Sequence, residues 1–228
     1  MYFPHGHIIV FAKEPLPGRV KTRLCPPLDA TEAAELAHAG LLDTLQLASR
    51  AAPTTLVWDG RVEAVPPLDP SPDVLPQSTG DLGMRMSAGF SARFASGAAW
   101  VVALGTDSPG LPESALLEAC AALQGASTPE AVFGPTSDGG YYLLGLSTWQ
   151  SELLGALPWS QPTTYQATRS RLASWGYACR DVATYFDVDV AADLRRLELA
   201  WRSGKLEAPA TAAWLERWFS AHAAKPRA

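Results

Sequence analysis

"HIIVFAKEPLPGRVKTRL", residues 7–24, joins a short apolar run to a loop that is crowded with positive charge. The apolar run is rich in β-branched residues and predicts a buried strand over residues 7–12. Two prolines and a glycine follow, and they exclude both a helix and a continued strand. A loop with this many like charges is unfavourable unless it surrounds an anion. Its cations are Lys13, Arg19, Lys21 and Arg23.

The composition limits what that anion can be. The chain has 228 residues, of which 47% are hydrophobic and 18% charged, so it is long enough for one large core. We expect a single domain over residues 1–228. The formal net charge of −5 argues against general binding to nucleic acid or to an anionic membrane. The cationic loop is therefore a local exception on an acidic protein, which indicates a small anion as its ligand.

The cysteines and the N-terminus indicate the cellular setting. Cys25, Cys120 and Cys179 are too few and too scattered for a disulfide framework, and no Cys-x-x-Cys pair occurs. The first residues lack the charged and apolar regions of a signal peptide, and no apolar stretch approaches the length of a membrane span. We therefore expect a reduced protein in the cytoplasm.

Strand-like and helix-like segments alternate along the chain. Strands are predicted at 7–12, 54–58, 74–76, 99–105, 131–135, 141–146 and 183–190, and helices at 28–51, 81–97, 112–125, 163–175, 190–203 and near the C-terminus. The first helix carries a start signal, since Asp29 is a candidate N-cap with Glu32 three residues later. The alternation predicts an α/β fold, a three-layer α/β/α sandwich around a mostly parallel sheet.

Charged residues follow the predicted strands at their carboxyl ends, the edge where open α/β sheets bind ligands. Asp107 follows the central strand and Asp189 lies at the end of the last one, so two carboxylates would share this edge with the cationic loop. Mg²⁺ and Mn²⁺ prefer one or two carboxylates together with phosphate oxygens and water. The layout predicts a nucleotide phosphate chain bound with one of these ions, with the cationic loop as the diphosphate site.

Six ordered motifs between residues 8 and 200 resemble a known family. They are FAKEPLPGRVKTRLCPPL, STGDLGMRM, LGTDSPGLP, VFGPTSDGGYYLLGL, PWS and DVDVAADL. The family is a bacterial group of GT-A-like transferases, known as arsenosugar-biosynthesis-type glycosyltransferases or as transferases associated with radical-SAM and selenoprotein genes. It is similar to the phospholactate and molybdenum-cofactor guanylyltransferases and to sugar-nucleotide synthetases. The resemblance implies a nucleotide-diphospho-sugar transferase fold (GT-A, Rossmann-like) and leaves glycosyl and nucleotidyl transfer both open.

Donor-side roles carry over unevenly. Asp107 and Asp189 match the metal-binding aspartates of the family and its relatives, with Asp187 as a nearby substitute for the second. The chain departs from the family at residues 190–192, where Val-Ala-Ala stands in place of the usual Thr-Pro-Glu. Of the residues expected on the nucleotide, Lys21 and Arg23 match phosphate contacts and Gln77 and Gly80 match a nucleobase loop, and Lys13, Arg19 and Asp81 adjoin them.

Acceptor-side roles fall on the motif SDGGYY, which matches a loop close to the acceptor. Asp138 is the candidate general base for the acceptor hydroxyl. Gly139 and Gly140 would let a ligand approach the backbone, and Tyr141 and Trp159 are candidates for the acceptor pocket. Structural alternatives stay open, because a Gly-rich turn, two turn acids and a solvated loop would account for the same residue types.

These residues predict a metal-dependent glycosyltransferase that moves a sugar from a nucleotide-diphospho-sugar to a small acceptor, with Mg²⁺ or Mn²⁺ as cofactor and neither nucleic acid nor membrane as partner. A nucleotidyltransferase that releases pyrophosphate needs the same cations and metal, so it remains the alternative. A non-catalytic nucleotide-sugar sensor is a third possibility, although a sensor would be expected to have lost the carboxylates. We also expect the side chains of Lys21 and Arg23 to be solvated when no ligand is bound.

Overall fold

One seven-stranded sheet forms the centre of the molecule. The computed structural model describes residues 1–69 and 71–222. Its strands are β1 (His7–Lys13), β2 (Thr54–Asp59), β3 (Asp73–Pro76), β4 (Val101–Leu104), β5 (Glu130–Pro135), β6 (Tyr141–Leu146) and β7 (Ala178–Asp181). They are ordered β3-β2-β1-β4-β6-β5-β7 across the sheet. β6 is antiparallel to its neighbours β4 and β5, and the other pairs are parallel, so the expected mostly parallel sheet is confirmed.

Helices cover both faces of this sheet. Within the described ranges they are α1 (Ala30–Ala51), α2 (Leu82–Ala95), α3 (Glu113–Gln124), α4 (Thr164–Ser174), α5 (Ala191–Arg202) and α6 (Pro209–His222). Successive side chains of a strand point to opposite faces. In β1, Ile8 and Val10 accordingly pack with α1 and α3, whereas Ile9 packs with α2 and α4. The predicted three-layer α/β/α sandwich is confirmed.

Of the last two helices, α6 packs on α1, and α5 packs on α6 and on the short turn at Thr22–Leu24. Leu197 of α5 and Trp214 of α6 are buried in a third apolar cluster with Leu24, which follows the cationic loop. The carboxylate of Asp43 in α1 accepts hydrogen bonds from the backbone N–H groups of Ala210 and Thr211, both at 2.8 Å. These two N–H groups lie at the start of α6, where they have no partner within the helix. The C-terminal helix is thereby joined to the same body as the sheet.

Two local predictions have opposite outcomes. The start of α1 is as expected, because Asp29 accepts from the N–H of Glu32 at 2.8 Å while the Glu32 side chain accepts from the N–H of Asp29 at 2.8 Å. The strand predicted at 183–190 is wrong, and the last strand is β7, which ends at Asp181. Residues 183–190 alternate apolar and polar like a strand, but they contact β5 only by an isolated bridge, in which the N–H of Tyr185 donates to the carbonyl of Pro135 at 3.1 Å. The N–H of Val188 donates instead to the carbonyl of Asp107, in the loop after β4, at 2.8 Å.

The topology brings the predicted ligand-binding loops together. Six of the seven strands run in one direction, so the loops that follow them meet at one edge of the sheet. The described residues of these loops are 14–29, 60–69, 71–72, 77–81, 105–112, 136–140 and 182–190. Within the part of the chain that the structure describes, no helix combines the length and apolar character needed to cross a membrane.

Candidate active site

A cleft of about 470 Å³ opens at the carboxyl ends of β1 and β4, between the cationic loop and the start of α2. It joins segments that are far apart in the sequence, as the topology predicts. The expected site residues that line it are Lys13, Arg19, Lys21, Arg23, Gln77, Asp107, Tyr141 and Asp189. Gly80, Asp81, Asp138, Gly139, Gly140 and Trp159 lie outside its lining. The cleft therefore unites most donor-side residues and separates them from most acceptor-side ones.

The cationic loop, defined here as residues 13–23, is held to the sheet by its one acid. Glu14 accepts from the backbone N–H of Arg61 at 2.9 Å and from its guanidinium at 2.5 and 3.0 Å, which ties the loop to the end of β2. Lys13, Arg19 and Arg23 are exposed. They are available to an anion in the cleft, as the sequence led us to expect.

Lys21 differs from the other three cations of the loop. Its ammonium donates to Asp107 Oδ1 and, at 3.0 Å, to Asp189 Oδ1. Its side chain is 8% exposed, against 57% for Asp107 and 45% for Asp189. Burial alone would lower the pKa of Lys21, but the two carboxylates outweigh it and raise that pKa, so the side chain is charged. The expectation that Lys21 is solvated without ligand is wrong, because its two partners provide what water would otherwise supply.

The carboxylates of the Asp107–Lys21–Asp189 cluster are also the candidate ligands of a metal ion. The two carboxylates come from loops after β4 and β7 and reach the same cation, so the pair is arranged to hold positive charge. In the described ranges no three His, Cys, Asp or Glu side chains form a metal-binding group. A divalent ion held by two carboxylates takes its remaining oxygen ligands from phosphate and water, which is the usual arrangement for Mg²⁺ with nucleotides. The donor set fits such an ion.

Asp189 is held in position by Asp193, a residue that we did not predict in this role. The Asp193 carboxylate accepts from the N–H of Asp189 at 3.1 Å and from that of Val190 at 2.9 Å. Both N–H groups precede α5 and would otherwise lack partners. An acid three residues into a helix is a known start signal, so DVDVAAD could have indicated it. The departure from the family at residues 190–192 leaves this anchor intact.

Asp187 is turned away from Lys21. Its Oδ1 accepts a hydrogen bond from the hydroxyl of Ser108. Burial raises the pKa of Asp187 to about 6, assisted by the charges of Asp107, Asp189 and Asp138 and opposed by the Ser108 hydrogen bond. The structure thus orients Asp189, rather than its proposed substitute Asp187, towards the cation.

Gln77 has a partner that sequence reasoning missed. Arg85 Nη1 donates to Gln77 Oε1 at 2.9 Å, and both side chains line the cleft. Because this bond occupies Oε1, the amide nitrogen of Gln77 is the group left to donate to a ligand. Arg85 also adds a fifth cation to the cleft. Its position in DLGMR, in the first turns of the helix predicted at 81–97, was the available signal.

Asp81 and Gly80 have local structural roles. Asp81 is the N-cap of α2, where its Oδ1 accepts from the N–H of Met84 at 2.8 Å. Gly80 has a φ of 109°, a conformation that side-chain-bearing residues rarely adopt. These two residues therefore shape the turn between β3 and α2, next to Gln77.

Asp138 lies at the tip of the β5–β6 hairpin. Its Oδ1 accepts from the hydroxyl of Thr136 at 2.5 Å and from the N–H of Gly140 at 3.1 Å, and the residue is exposed. These bonds fix the orientation of the carboxylate and match the structural alternative for this loop. Asp138 nevertheless lies close enough to Asp187 for its charge to contribute to the raised pKa of that carboxyl.

Gly139 is required by packing. Its φ is 92°, and a Cβ there would lie 1.9 Å from the carbonyl oxygen of Pro162. Its own carbonyl accepts from the N–H of Tyr165 at 2.9 Å, which joins the hairpin to the start of α4. At Gly140 a Cβ would meet the Thr136 hydroxyl at 3.0 Å. The neighbour of Gly139 is therefore protein backbone.

The two aromatic candidates also differ from each other. Tyr141 lines the cleft at the start of β6, with its ring edge-on to Phe133 at a centroid distance of 5.7 Å. Trp159 packs against α2, where a Cβ on Gly83 would lie 2.5 Å from its Nε1. The Trp159 side chain belongs to the apolar cluster beneath α2. Tyr141 thus lines the cleft, whereas Trp159 supports the helix that borders it, and the binding role of both stays a prediction.

The chain is similar to one protein family and to several solved structures. The family described as "Uncharacterized protein conserved in bacteria (DUF2064)" matches residues 36–161. No curated protein matches the chain. Among solved structures, a protein from Desulfovibrio desulfuricans G20 is 28% identical, with a TM-score of 0.81 and 96% of each chain covered. That protein carries a provisional description as a nucleotide-diphospho-sugar transferase.

Two more distant structures share the fold. A 4-diphosphocytidyl-2C-methyl-D-erythritol synthase is 12% identical with a TM-score of 0.57, over 86% of this chain and 98% of that one. Rv0371c from Mycobacterium tuberculosis H37Rv, whose structure contains manganese, is 19% identical with a TM-score of 0.50, over 85% of this chain and 97% of that one. The predicted nucleotide-diphospho-sugar transferase fold is confirmed, and so is the general class of transferase. The arsenosugar and selenoprotein association stays a prediction, since none of these descriptions mentions it.

Proposed function

The chain belongs to the DUF2064 family, and we propose that it is a metal-dependent glycosyltransferase that moves a sugar from a nucleotide-diphospho-sugar to a small acceptor. One observation carries the proposal. Exposed cations of one loop and two carboxylates that share a cation meet in a single cleft at the carboxyl edge of the sheet. This combination suits a diphosphate and a divalent ion bound side by side.

The exposed cations are suited to the leaving group. When the bond between the sugar and the diphosphate breaks, negative charge develops on the phosphate oxygens. Lys13, Arg19 and Arg23 would hold that charge by hydrogen bonds from fixed positions around the cleft, with no covalent contribution from the protein. The amide of Gln77, oriented by Arg85, would donate to the nucleobase or ribose.

Asp107 and Asp189 would hold the Mg²⁺ or Mn²⁺ cofactor. The ion supplies positive charge against which the diphosphate departs. The manganese in the structure of Rv0371c supports this choice of ion by likeness of fold. Within this chain, Asp193 would keep Asp189 turned towards the cleft through its bonds to the N–H groups of Asp189 and Val190.

Asp138 is our candidate for the residue that receives the acceptor's proton. Its hydrogen bonds from Thr136 and Gly140 both end on Oδ1, and they orient the carboxylate. Its exposure makes it accessible to an acceptor that approaches beside the acidic cluster. Tyr141, which lines the cleft below this hairpin, is the candidate contact to the sugar or acceptor.

A nucleotidyltransferase is the second candidate function. Two observations favour it. Asp138 is hydrogen-bonded within its own turn, and the cations around the cleft are also suited to bind a triphosphate. The shared fold with the diphosphocytidyl-methylerythritol synthase adds to this support. A nucleotide-sugar sensor is a weaker possibility, because both carboxylates of the cluster are present.

Product identification separates these functions. The protein would be incubated with Mn²⁺ and a panel of UDP-, GDP-, CDP- and ADP-sugars, and in parallel with the four nucleoside triphosphates and candidate sugar phosphates. Release of a nucleoside diphosphate that Asp107→Asn abolishes supports glycosyl transfer. Release of pyrophosphate overturns it in favour of nucleotidyl transfer. Tight binding of a nucleotide sugar without any product indicates the sensor.

We further propose that residues 1–228 form one transferase domain, supported by the bonds from Asp43 that attach α6 to α1. A cytoplasmic location is proposed on two grounds. Cys25, Cys120 and Cys179 are free thiols, and nucleotide sugars would be the donor. Size-exclusion and limited proteolysis of the full chain test the first of these proposals.

A further inference from the structure

Lys21 occupies the position that a bound cation would take. Its ammonium is the shared hydrogen-bond donor to Asp107 and Asp189, and its side chain is 8% exposed although both carboxylates are about half-exposed. The other cations of the loop are exposed, and among the described residues Arg23 makes no ion pair. Lys21 is thus the cation of the loop that is committed to the carboxylates.

A divalent ion and the Lys21 ammonium cannot both sit between these carboxylates. Two positive charges within about 3–4 Å of one another repel strongly in a partly buried site. The ammonium must therefore leave before an ion can be bound by both aspartates. The cleft offers it an alternative partner only when phosphate is present, because the other charged residues that line the cleft, apart from the two aspartates, are cations.

We propose that Lys21 is an exchangeable internal cation that blocks the metal site of the ligand-free protein and moves to the nucleotide phosphates when ion and nucleotide enter together. This inference rests on the proposed function and adds a regulation of the same site. The ion alone would bind weakly because it must displace Lys21 into a cationic loop. The nucleotide would bring the phosphate that accepts Lys21, so that each ligand increases the affinity for the other.

The test compares Mn²⁺ binding with and without nucleotide in matched variants. Lys21→Met removes the charge, Lys21→Arg keeps it, and Arg23→Met removes an equal charge from the same loop without touching either carboxylate. Lys21 has a φ of 49° and ψ of 30°, and Met and Arg carry the same Cβ as Lys, so the backbone requirement is unchanged. Free Mn²⁺ would be measured by electron paramagnetic resonance during titration, and thermal melts with and without Mn²⁺ would check folding.

We expect Lys21→Met to bind Mn²⁺ alone at least about tenfold more tightly than wild type, because the competing charge is gone. Lys21→Arg and Arg23→Met should remain within about threefold of wild type in this measurement, since the carboxylates keep their internal cation. With saturating Mn²⁺, the same Lys21→Met variant should bind UDP, GDP and CDP about tenfold or more weakly, because a charged hydrogen bond to phosphate is lost. One substitution thus changes the two affinities in opposite directions.

The outcomes distinguish the exchange from the proposed function. If wild type binds Mn²⁺ with a nucleoside diphosphate but Lys21→Met binds Mn²⁺ alone no more tightly, the exchange is overturned and the metal site stands. If Arg23→Met tightens Mn²⁺ binding as much as Lys21→Met, general charge is responsible and the exchange is also overturned. If no variant binds Mn²⁺ under any condition while all melt cooperatively, both the metal site and the exchange are wrong.

Discussion

Asp193→Ala should lower both the stability of the protein and its affinity for ligand, although we propose no direct contact between Asp193 and a ligand. Its carboxylate accepts from the N–H groups of Asp189 and Val190 at 3.1 and 2.9 Å, at the start of α5. These N–H groups have no partner within the helix. The alanine variant leaves both without their acceptor and releases the backbone on which Asp189 is mounted.

The expected loss of stability follows from the capping role. Removing a side chain that caps a helix N-terminus typically costs about 0.5–2 kcal/mol. For a chain of 228 residues this corresponds to a fall in melting temperature of about 1–8 °C. Asp193→Asn keeps an amide oxygen as acceptor and should recover most of the loss. Differential scanning calorimetry without ligand measures this part.

The effect on binding should be larger than the effect on stability suggests. Residues that orient a metal ligand typically contribute about 10–100-fold to metal affinity, equivalent to about 1.4–2.7 kcal/mol. Asp193→Ala should therefore reduce the affinity for Mn²⁺ with a nucleoside diphosphate on that scale, and Asp193→Asn should reduce it less. Isothermal titration at a temperature well below the melting transition gives both affinities on folded protein.

Asp43→Ala is the matched control. Asp43 also accepts from two successive N–H groups at a helix start, both at 2.8 Å, but it joins α1 to α6 away from the cleft and is 7% exposed. Its loss should destabilise the protein at least as much as the loss of Asp193, while ligand affinity stays within about twofold of wild type. Equal loss of affinity in both variants would mean that instability alone explains the result, and the positioning role of Asp193 would be refuted.

Three further predictions concern other sites. Asp138→Asn should lower turnover by about 10²–10⁴-fold with donor affinity unchanged, whereas Asp107→Asn should lose metal-dependent donor binding. Steady-state kinetics and donor titration of both variants check this, and normal turnover in Asp138→Asn would mean that Asp138 has only a structural role. Gly139→Ala should destabilise the protein far more than Gly97→Ala in urea unfolding. Both glycines have a φ near 92°, but a Cβ at Gly139 would lie 1.9 Å from the Pro162 carbonyl oxygen and a Cβ at Gly97 meets nothing within 4 Å. Equal effects of the two substitutions would contradict the packing role of Gly139. Burial is the largest cause that lowers the pKa of His7 from 6.5 to about 4, so between these pH values the unfolded state binds more protons than the folded state. The stability of the protein should therefore fall as the pH drops from 6.5 to 4. The urea midpoint should fall less in His7→Gln, and an identical fall would exclude His7 as the cause.

Features with a local cause could be predicted from the sequence. The alternation of strand and helix patterns indicated the layers, and Asp29 with Glu32 marked the start of α1 because the capping box depends on residues three apart. The prediction of a strand over residues 183–190 was wrong because an alternating pattern indicates which side chains are buried, not which backbone groups form hydrogen bonds. Phe186 and Val188 are buried there as in a strand, yet the backbone makes one isolated bond to β5, at Tyr185, and otherwise bonds to loops.

Partners between distant loops could not be predicted. The pairing of Lys21 with Asp107 and Asp189 joins residues 86 and 168 positions apart, and residue types alone do not state whether a lysine faces phosphate or carboxylate. The same limit applies to Arg85 on Gln77, because the helix phase that turns Arg85 to the cleft depends on packing beneath α2. Trp159 was assigned to an acceptor pocket for its ring, whereas the close approach at Gly83 makes it a packing residue.

The charge balance of the cleft explains how a loop of four cations persists on a protein of net charge −5. In the ligand-free state one cation, Lys21, is neutralised by two carboxylates, and the other three are solvated. On the proposed function, a divalent ion replaces Lys21 between the same carboxylates, and the diphosphate receives Lys21 together with the three solvated cations. Every charge of the loop and of the two carboxylates then has a counter-charge, but only when ion and diphosphate are present together. Either ligand alone leaves an unbalanced group, so the arrangement that holds the empty loop together also disfavours a half-filled site.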